Sequence, residues 1–280
     1  MSHNSKIQNS VLVAAFAFMS LSMGCSPAKF QMNGQEKGDN GTLAAPIICD
    51  PFDTANIIDP KSGLSGSIYT IDAKQPRYKS SRDYLKYGTE LNANLFLDRV
   101  YVPTRDFSTG FATSSSTLQD ATGATLVEYF GLKLKSTVKL SATDAEGDYQ
   151  FALLSDDGSS MYEVKANGDL ERIVENEGDH STGLGCAKTA VPFTKSSRLP
   201  VEISYYQGPR YSIAMVMLWR KVTKTGLADS ACGTSGGDYF DTSTGAQRPA
   251  FAALTKRGWK PLEAANFELT SGSNLCAVSQ

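Results

Sequence analysis

The sequence predicts an all-β protein, an antiparallel β-sandwich or barrel carrying a small disulfide-linked C-terminal extension. Three observations predict it. Apolar residues recur in short runs of period two, as in Val201-Glu202-Ile203-Ser204-Tyr205. Turns marked by glycine and proline, such as Gln207-Gly208-Pro209-Arg210, separate these runs. No stretch before residue 245 keeps the spacing of an amphipathic helix. The 280 residues, 41% of them hydrophobic, suffice for one large β domain or two modest ones.

From the N-terminus, Lys6 precedes the apolar run Val11 to Met19, which has the length of a signal-peptide core and is too short to span a bilayer. Residues 1–24 are therefore read as a signal peptide. Residues 25–62 are rich in Gly, Asn, Lys, Gln and Pro and read as a flexible tether. Residues 63–222 form the β domain. Its strands begin at Gly63 to Ile71, continue through Leu91 to Val102, and resume at Glu128 to Leu134 and Thr137 to Leu140.

At the centre lies Gly147 to Glu163. Tyr149, Phe151 and Leu153 alternate with Gln150, Ala152 and Leu154, Ser155-Asp156-Asp157-Gly158-Ser159 makes a turn, and Met161, Tyr162 and Val164 resume a strand. Adjacent carboxylates at a strand tip repel each other, so they are costly unless hydrogen-bonded, solvated or neutralised by a cation. The chemistry is expected here. Leu170 to Val174, Val201 to Tyr206 and the long apolar run Tyr211 to Arg220 complete the domain. In residues 223–280, Pro249 to Gly258 has the spacing of a short helix with a glycine stop.

Composition narrows the function. Lys and Arg number 27 against 29 Asp and Glu, so no basic field exists for nucleic acid. His3 and His180 are the two histidines, which argues against a zinc site or a histidine-based triad, and no enzyme is predicted. His180 reads as a packed structural residue. Gly233-Thr234-Ser235-Gly236-Gly237 matches a nucleophile-elbow pattern without the strand, helix or downstream histidine that it needs. Asp144, Glu146 and Asp148 read as a solvated turn. Beyond Cys25, the four cysteines Cys49, Cys186, Cys232 and Cys276 predict two disulfides. Three connectivities are open, and Cys49–Cys186 with Cys232–Cys276 is the preferred one.

Two resemblances add to this reading. Leu21-Ser22-Met23-Gly24-Cys25 resembles the lipobox of bacterial lipoproteins, with Ser22 where leucine is usual. It implies lipidation at Cys25, a lipid anchor in the membrane and, with Ser26 following, an outer-membrane location in the cell envelope. The order of four markers resembles the PA14 domain family: Gly63 to Tyr69, Gly147 to Ser159, Gly178 with His180, and Tyr205 to Trp219. That resemblance implies a β-sandwich, and in sugar-binding members a cis Asp-Asp pair holding calcium that coordinates sugar hydroxyls. Asp156 and Asp157 occupy those positions as metal ligands; Tyr206, Gln207, Gly208 and Arg210 would complete the ligand-binding rim, with no asparagine in the second loop. The expected partner is a glycan or a surface protein. The alternative is a structural envelope protein that makes protein contacts with no sugar or calcium site.

Overall fold

The computed structural model describes residues 45–277 except 53–58, 73, 114, 210–211 and 224–225. The signal peptide, Cys25 and most of the tether therefore lie outside the described residues, as does Arg210. The strands are β1 (Ile47–Cys49), β2 (Leu64–Thr70), β3 (Thr89–Glu90), β4 (Asn94–Leu97), β5 (Tyr101–Arg105), β6 (Phe130–Val138), β7 (Gly147–Asp156) and β8 (Ser159–Val164). They continue as β9 (Leu170–Asn176), β10 (Gly183–Cys186), β11 (Val191–Phe193), β12 (Leu199–Gln207), β13 (Ile213–Val222), β14 (Lys260–Pro261) and β15 (Phe267–Glu268), with helices α1 (Ser81–Tyr87) and α2 (Pro249–Lys256).

Two sheets form a sandwich. The larger runs β1-β4-β2-β6-β12-β8-β9, with β15 on β6 and β3 on β2; the smaller runs β10-β7-β13-β14, with β11 on β7 and β5 on β13. All pairings are antiparallel except β1 with β4. The period-two residues meet between the sheets. Ile68, Leu132, Leu134, Ile203 and Tyr205 of the larger sheet pack on Phe151, Leu153, Met215, Met217 and Trp219 of the smaller.

The apolar residues of opposite parity explain the C-terminal residues. Ala152, Leu154, Val216 and Leu218 face away from that core, and Tyr239, Phe240, Phe251, Leu254 and Trp259 cover them. The continuous apolar run of β13 is thus the signature of a strand buried on both faces. Burying each large side chain of this layer contributes about 1.5–3 kcal/mol. Residues 223–280 are accordingly a third layer of the same compact unit, Ala45–Gln280, with β14 and β15 inserted into the two sheets.

Four expectations need correction. The disulfides are Cys49–Cys276 and Cys186–Cys232 rather than the preferred pairing, because β1 and the chain end meet at one edge and the 230s loop lies on β10. The tether does not extend to residue 62: Ile47–Cys49 pairs with β4 and Ile48 is fully buried, a contact too short to show periodicity. A helix does precede residue 245. In α1, Ser81 and Tyr84 face inward and Gly88 donates its N–H to the Tyr84 carbonyl, but seven residues are too few to display a helical period. Asp144 is no solvated side chain: it is buried, accepts from Ser141 N and Asn266 Nδ2, pairs with Lys260, and these donors hold its carboxyl well below the usual range against its burial. Among the described residues no helix is long and apolar enough to cross a membrane.

Candidate functional site

The turn between β7 and β8 places Asp156 and Asp157 at one end of the sandwich, and the peptide bond joining them is cis. The two are 9% and 6% exposed, so both carboxyl groups are largely removed from water. Their surroundings differ. Asp157 Oδ1 accepts the N–H of His180 at 3.0 Å and Oδ2 accepts the N–H of Gly208 at 2.8 Å, so this one side chain ties together three loops. Asp156 is bonded to the backbone N–H and hydroxyl of Thr182, whose Oγ1 is 2.8 Å from Thr104 Oγ1.

No salt bridge reaches Asp156 or Asp157 among the described residues. Burial first, and then the charge of Asp157, push Asp156 up to about 7. Burial also raises Asp157, opposed by the Gly208 and His180 N–H groups. Among the described residues, no Lys or Arg pairs with either carboxyl group of the turn.

Behind it the packing is close. The Tyr205 hydroxyl lies 2.5 Å from both the Asp156 carbonyl oxygen and Gln207 Oε1. Asn176 Nδ2 donates to Ser155 Oγ and to the Gly183 carbonyl. Glycine is required at two positions by close approach: a Cβ on Gly158 would run into the Tyr206 ring, and one on Gly208 would stand 3.0 Å from Asp157 Oδ2 and 3.5 Å from Asp179 Oδ1.

The site residues expected from sequence are partly brought together. Gly208 sits beside Asp157 and offers its backbone. Gln207 is buried with its side chain turned inward, its Nε2 donating to the Pro209 and Ser212 carbonyls, so no amide is left for a ligand. Tyr206 is fully buried, stacks on Tyr84 at 4.6 Å between ring centroids, and donates to Asp179 at 2.8 Å. His180 is half-buried with both ring nitrogens against backbone carbonyls, of Ser181 and Asn176, which leaves it a packing role.

Sequence reading missed Thr182, Asp179 and the α1 segment. Asp179 carries a salt bridge to Lys79, and Arg77 lies 3.4 Å over the ring of Tyr129, whose N–H donates to the Gly208 carbonyl. A rim of Arg77, Tyr78, Lys79 and Tyr129 therefore borders the carboxylates. The signal available was the order Glu177-Gly178-Asp179-His180, in which the aspartate was passed over for its neighbours.

Could the turn hold a metal? Among the described residues no group of three or more His, Cys, Asp or Glu side chains converges as a cation cage. Calcium takes six to eight oxygens. The donor set fits a hard divalent cation that keeps most of its shell for water or ligand hydroxyls, and does not fit one enclosed by protein.

No family model and no curated protein matches this chain. Among solved structures it is similar to the PA14 sugar-binding domain of an RTX adhesin, at 18% identity and TM-score 0.41 over 57% of this chain and 90% of that one. It is also similar to the Epithelial Adhesin 6 A domain of Candida glabrata, solved with Galb1-3GlcNAc, at 16% identity and TM-score 0.39 over 65% and 88%. With the PA14 domain of an antifreeze protein it shares 17% identity and TM-score 0.37 over 60% and 84%, so the solved structures that this chain is similar to include several PA14 domains.

Proposed function

We propose that this chain is an envelope-anchored binding module, lipid-linked through Cys25, that takes calcium at Asp156 and Asp157 and through it binds the hydroxyls of a glycan. The observation that carries this reading is the pair of adjacent, largely buried carboxylates that no Lys or Arg among the described residues neutralises. A divalent ion would neutralise both, and its remaining positions, open to the Gly208 loop and to water, match vicinal hydroxyls in charge and hardness. The motif order that resembles sugar-binding PA14 domains supports the same reading.

A second reading has its own observation. Asp157 spends both oxygens on backbone N–H groups, which is what a purely structural turn would do in an envelope protein that makes only protein contacts. Asp156 separates the two, because no salt bridge among the described residues reaches it and its carboxyl is pushed up to about 7.

The test is binding of the full chain to an immobilised glycan panel in calcium and in chelator, with Asp156→Asn as control. Calcium-dependent retention that Asp156→Asn abolishes is expected. Retention on no glycan in either condition, by a folded protein, would favour the structural reading.

A further inference from the structure

A cavity lies on the outward face of the larger sheet, away from the acidic turn. Its volume is about 780 Å³. It exists because α1 covers one end of that face, at Gly131 and β12, and leaves the other open. There the cross-strand rows are Ser67–Lys133–Ser204 and Ser65–Lys135–Glu202–Tyr162, with Pro200 beyond. Arg82, Asp83, Leu85 and Lys86 of α1 make one wall, and Val164, Gly168 and Leu170 at the β8–β9 turn make the other.

Its charge is lopsided. Arg82, Lys86, Lys133 and Lys135 line it against two carboxylates, Asp83 and Glu202, with Glu90 behind Tyr69 and near Lys133 and Lys135 as a third at its edge. Glu202 is already committed: it is 7% exposed, accepts from Arg82 at 2.5 Å, and has Lys135 at 3.9 Å. Lys133 donates to the neutral Tyr69 hydroxyl, which itself donates to Glu90, and neither Lys133 nor Lys86 is in a salt bridge among the described residues. The floor and walls between these cations are partly exposed aliphatic groups, those of Leu85, Val164 and Leu170.

We propose that this groove is a second binding site, independent of the acidic turn, for an acidic polysaccharide built of uronate-type sugars. A pyranose ring offers an apolar C–H face to the aliphatic walls, and its carboxylate offers a single negative charge to Lys133, Lys135 or Lys86, so one repeat unit meets both features of the groove. A peptide adding as a strand is excluded by geometry. The groove lies on a sheet face, where β6 and β12 are paired on both sides and present no free backbone N–H or C=O. Recognition must come from side chains alone.

The test is calorimetry of the full chain, disulfides intact and chelator present, with an oligogalacturonide and with the same oligosaccharide after reduction of its carboxyl groups. Binding at least about tenfold tighter for the acidic form is expected, weakening with salt, and falling by about tenfold in the Lys133→Gln/Lys135→Gln variant. The melting temperature of that variant reports that it is folded. Equal affinity for the neutral form, indifference to the two substitutions, or equal binding of a poly-glutamate of matched charge would each overturn the proposal. Chelator keeps the acidic turn silent, so uronide binding abolished by Asp156→Asn would also overturn it, whereas failure of glycan binding at the turn leaves this groove untouched.

Discussion

Two regions of this molecule bury aspartate, and they treat it in opposite ways. Beneath the C-terminal layer, Asp229 has a fully buried side chain that accepts from Arg220 at 3.3 Å, Arg257 at 2.8 Å and Trp259 Nε1 at 2.9 Å. These donors hold its carboxyl below the usual range in spite of its burial. Arg220 in turn donates to Gln150 Oε1 and to backbone carbonyls between Gly226 and Ala228, so every charge there has a partner within the chain. At the β7–β8 turn, Asp156 is nearly as inaccessible and is pushed the other way, up to about 7. A buried charge used to hold layers together is neutralised internally. At the turn no salt bridge among the described residues does this for Asp156, and the proposed cation site rests on that contrast.

The largest effect should come from breaking the compensated region. Asp229→Ala leaves Arg220, 7% exposed, without its counter-charge and Trp259 without its acceptor, and should cost about 3–5 kcal/mol in denaturant unfolding. A loss below ~1 kcal/mol would erase the contrast. Asp157→Asn sharpens it from the other side. One of its two oxygens becomes an NH2 facing a backbone N–H, from His180 or Gly208, so about 1–3 kcal/mol of stability should be lost together with cation binding.

Asp156→Asn should behave differently from both. Because the folded carboxyl is raised to about 7 from an ordinary 3.8, the folded state holds the proton more tightly. Stability is then full below about pH 4 and declines as pH rises to about 7 when no cation is present. The variant should flatten that decline, and calcium should do the same for the wild type at pH 8 but not at pH 5. Thermal melting of both proteins at pH 5 and pH 8, with and without calcium, checks it, with about 2–4 °C expected for each kcal/mol recovered.

The smallest effect concerns support from a distance. The Cys186–Cys232 disulfide holds the 230s loop on β10, where Gly237 N–H donates to the carbonyl of Thr182, the residue bonded to Asp156. Replacing both cysteines with serine should lower calcium affinity by about tenfold in a protein that still folds, read as a rightward shift of the titration.

How much of this was legible beforehand depends on whether local pattern or distant contact decides. The sandwich was legible because Tyr149, Phe151 and Leu153 alternate over a long enough run, and the acidic turn because Asp156-Asp157-Gly158 breaks that run. The double burial of β7 and β13 was written in their unbroken apolar runs, but what covers them was not, since Phe251, Leu254 and Trp259 lie 29 to 37 residues beyond Val222, the end of β13. The disulfide pairing failed for the same reason: Cys49 and Cys276, 227 residues apart, meet only through sheet topology. At the site, Gln207 was expected to face a ligand, yet it follows Tyr205 by two residues on β12 and shares its inward direction, which places its oxygen beside the Tyr205 hydroxyl. Thr182, Asp179 and the rim residue Arg77 reach the turn from three other segments, and no local motif marks them.

The measurement that bears most directly on the central claim is calorimetric titration of calcium into the full chain at pH 8, beside Asp156→Asn. Saturable one-site binding is expected at pH 8, with added proton release when the titration is repeated at pH 6, and both are lost in a variant that remains folded and melts no lower than the wild type. Absence of binding heat in the wild type, with a melting temperature indifferent to calcium, would contradict it and leave the acidic turn as a purely structural clasp.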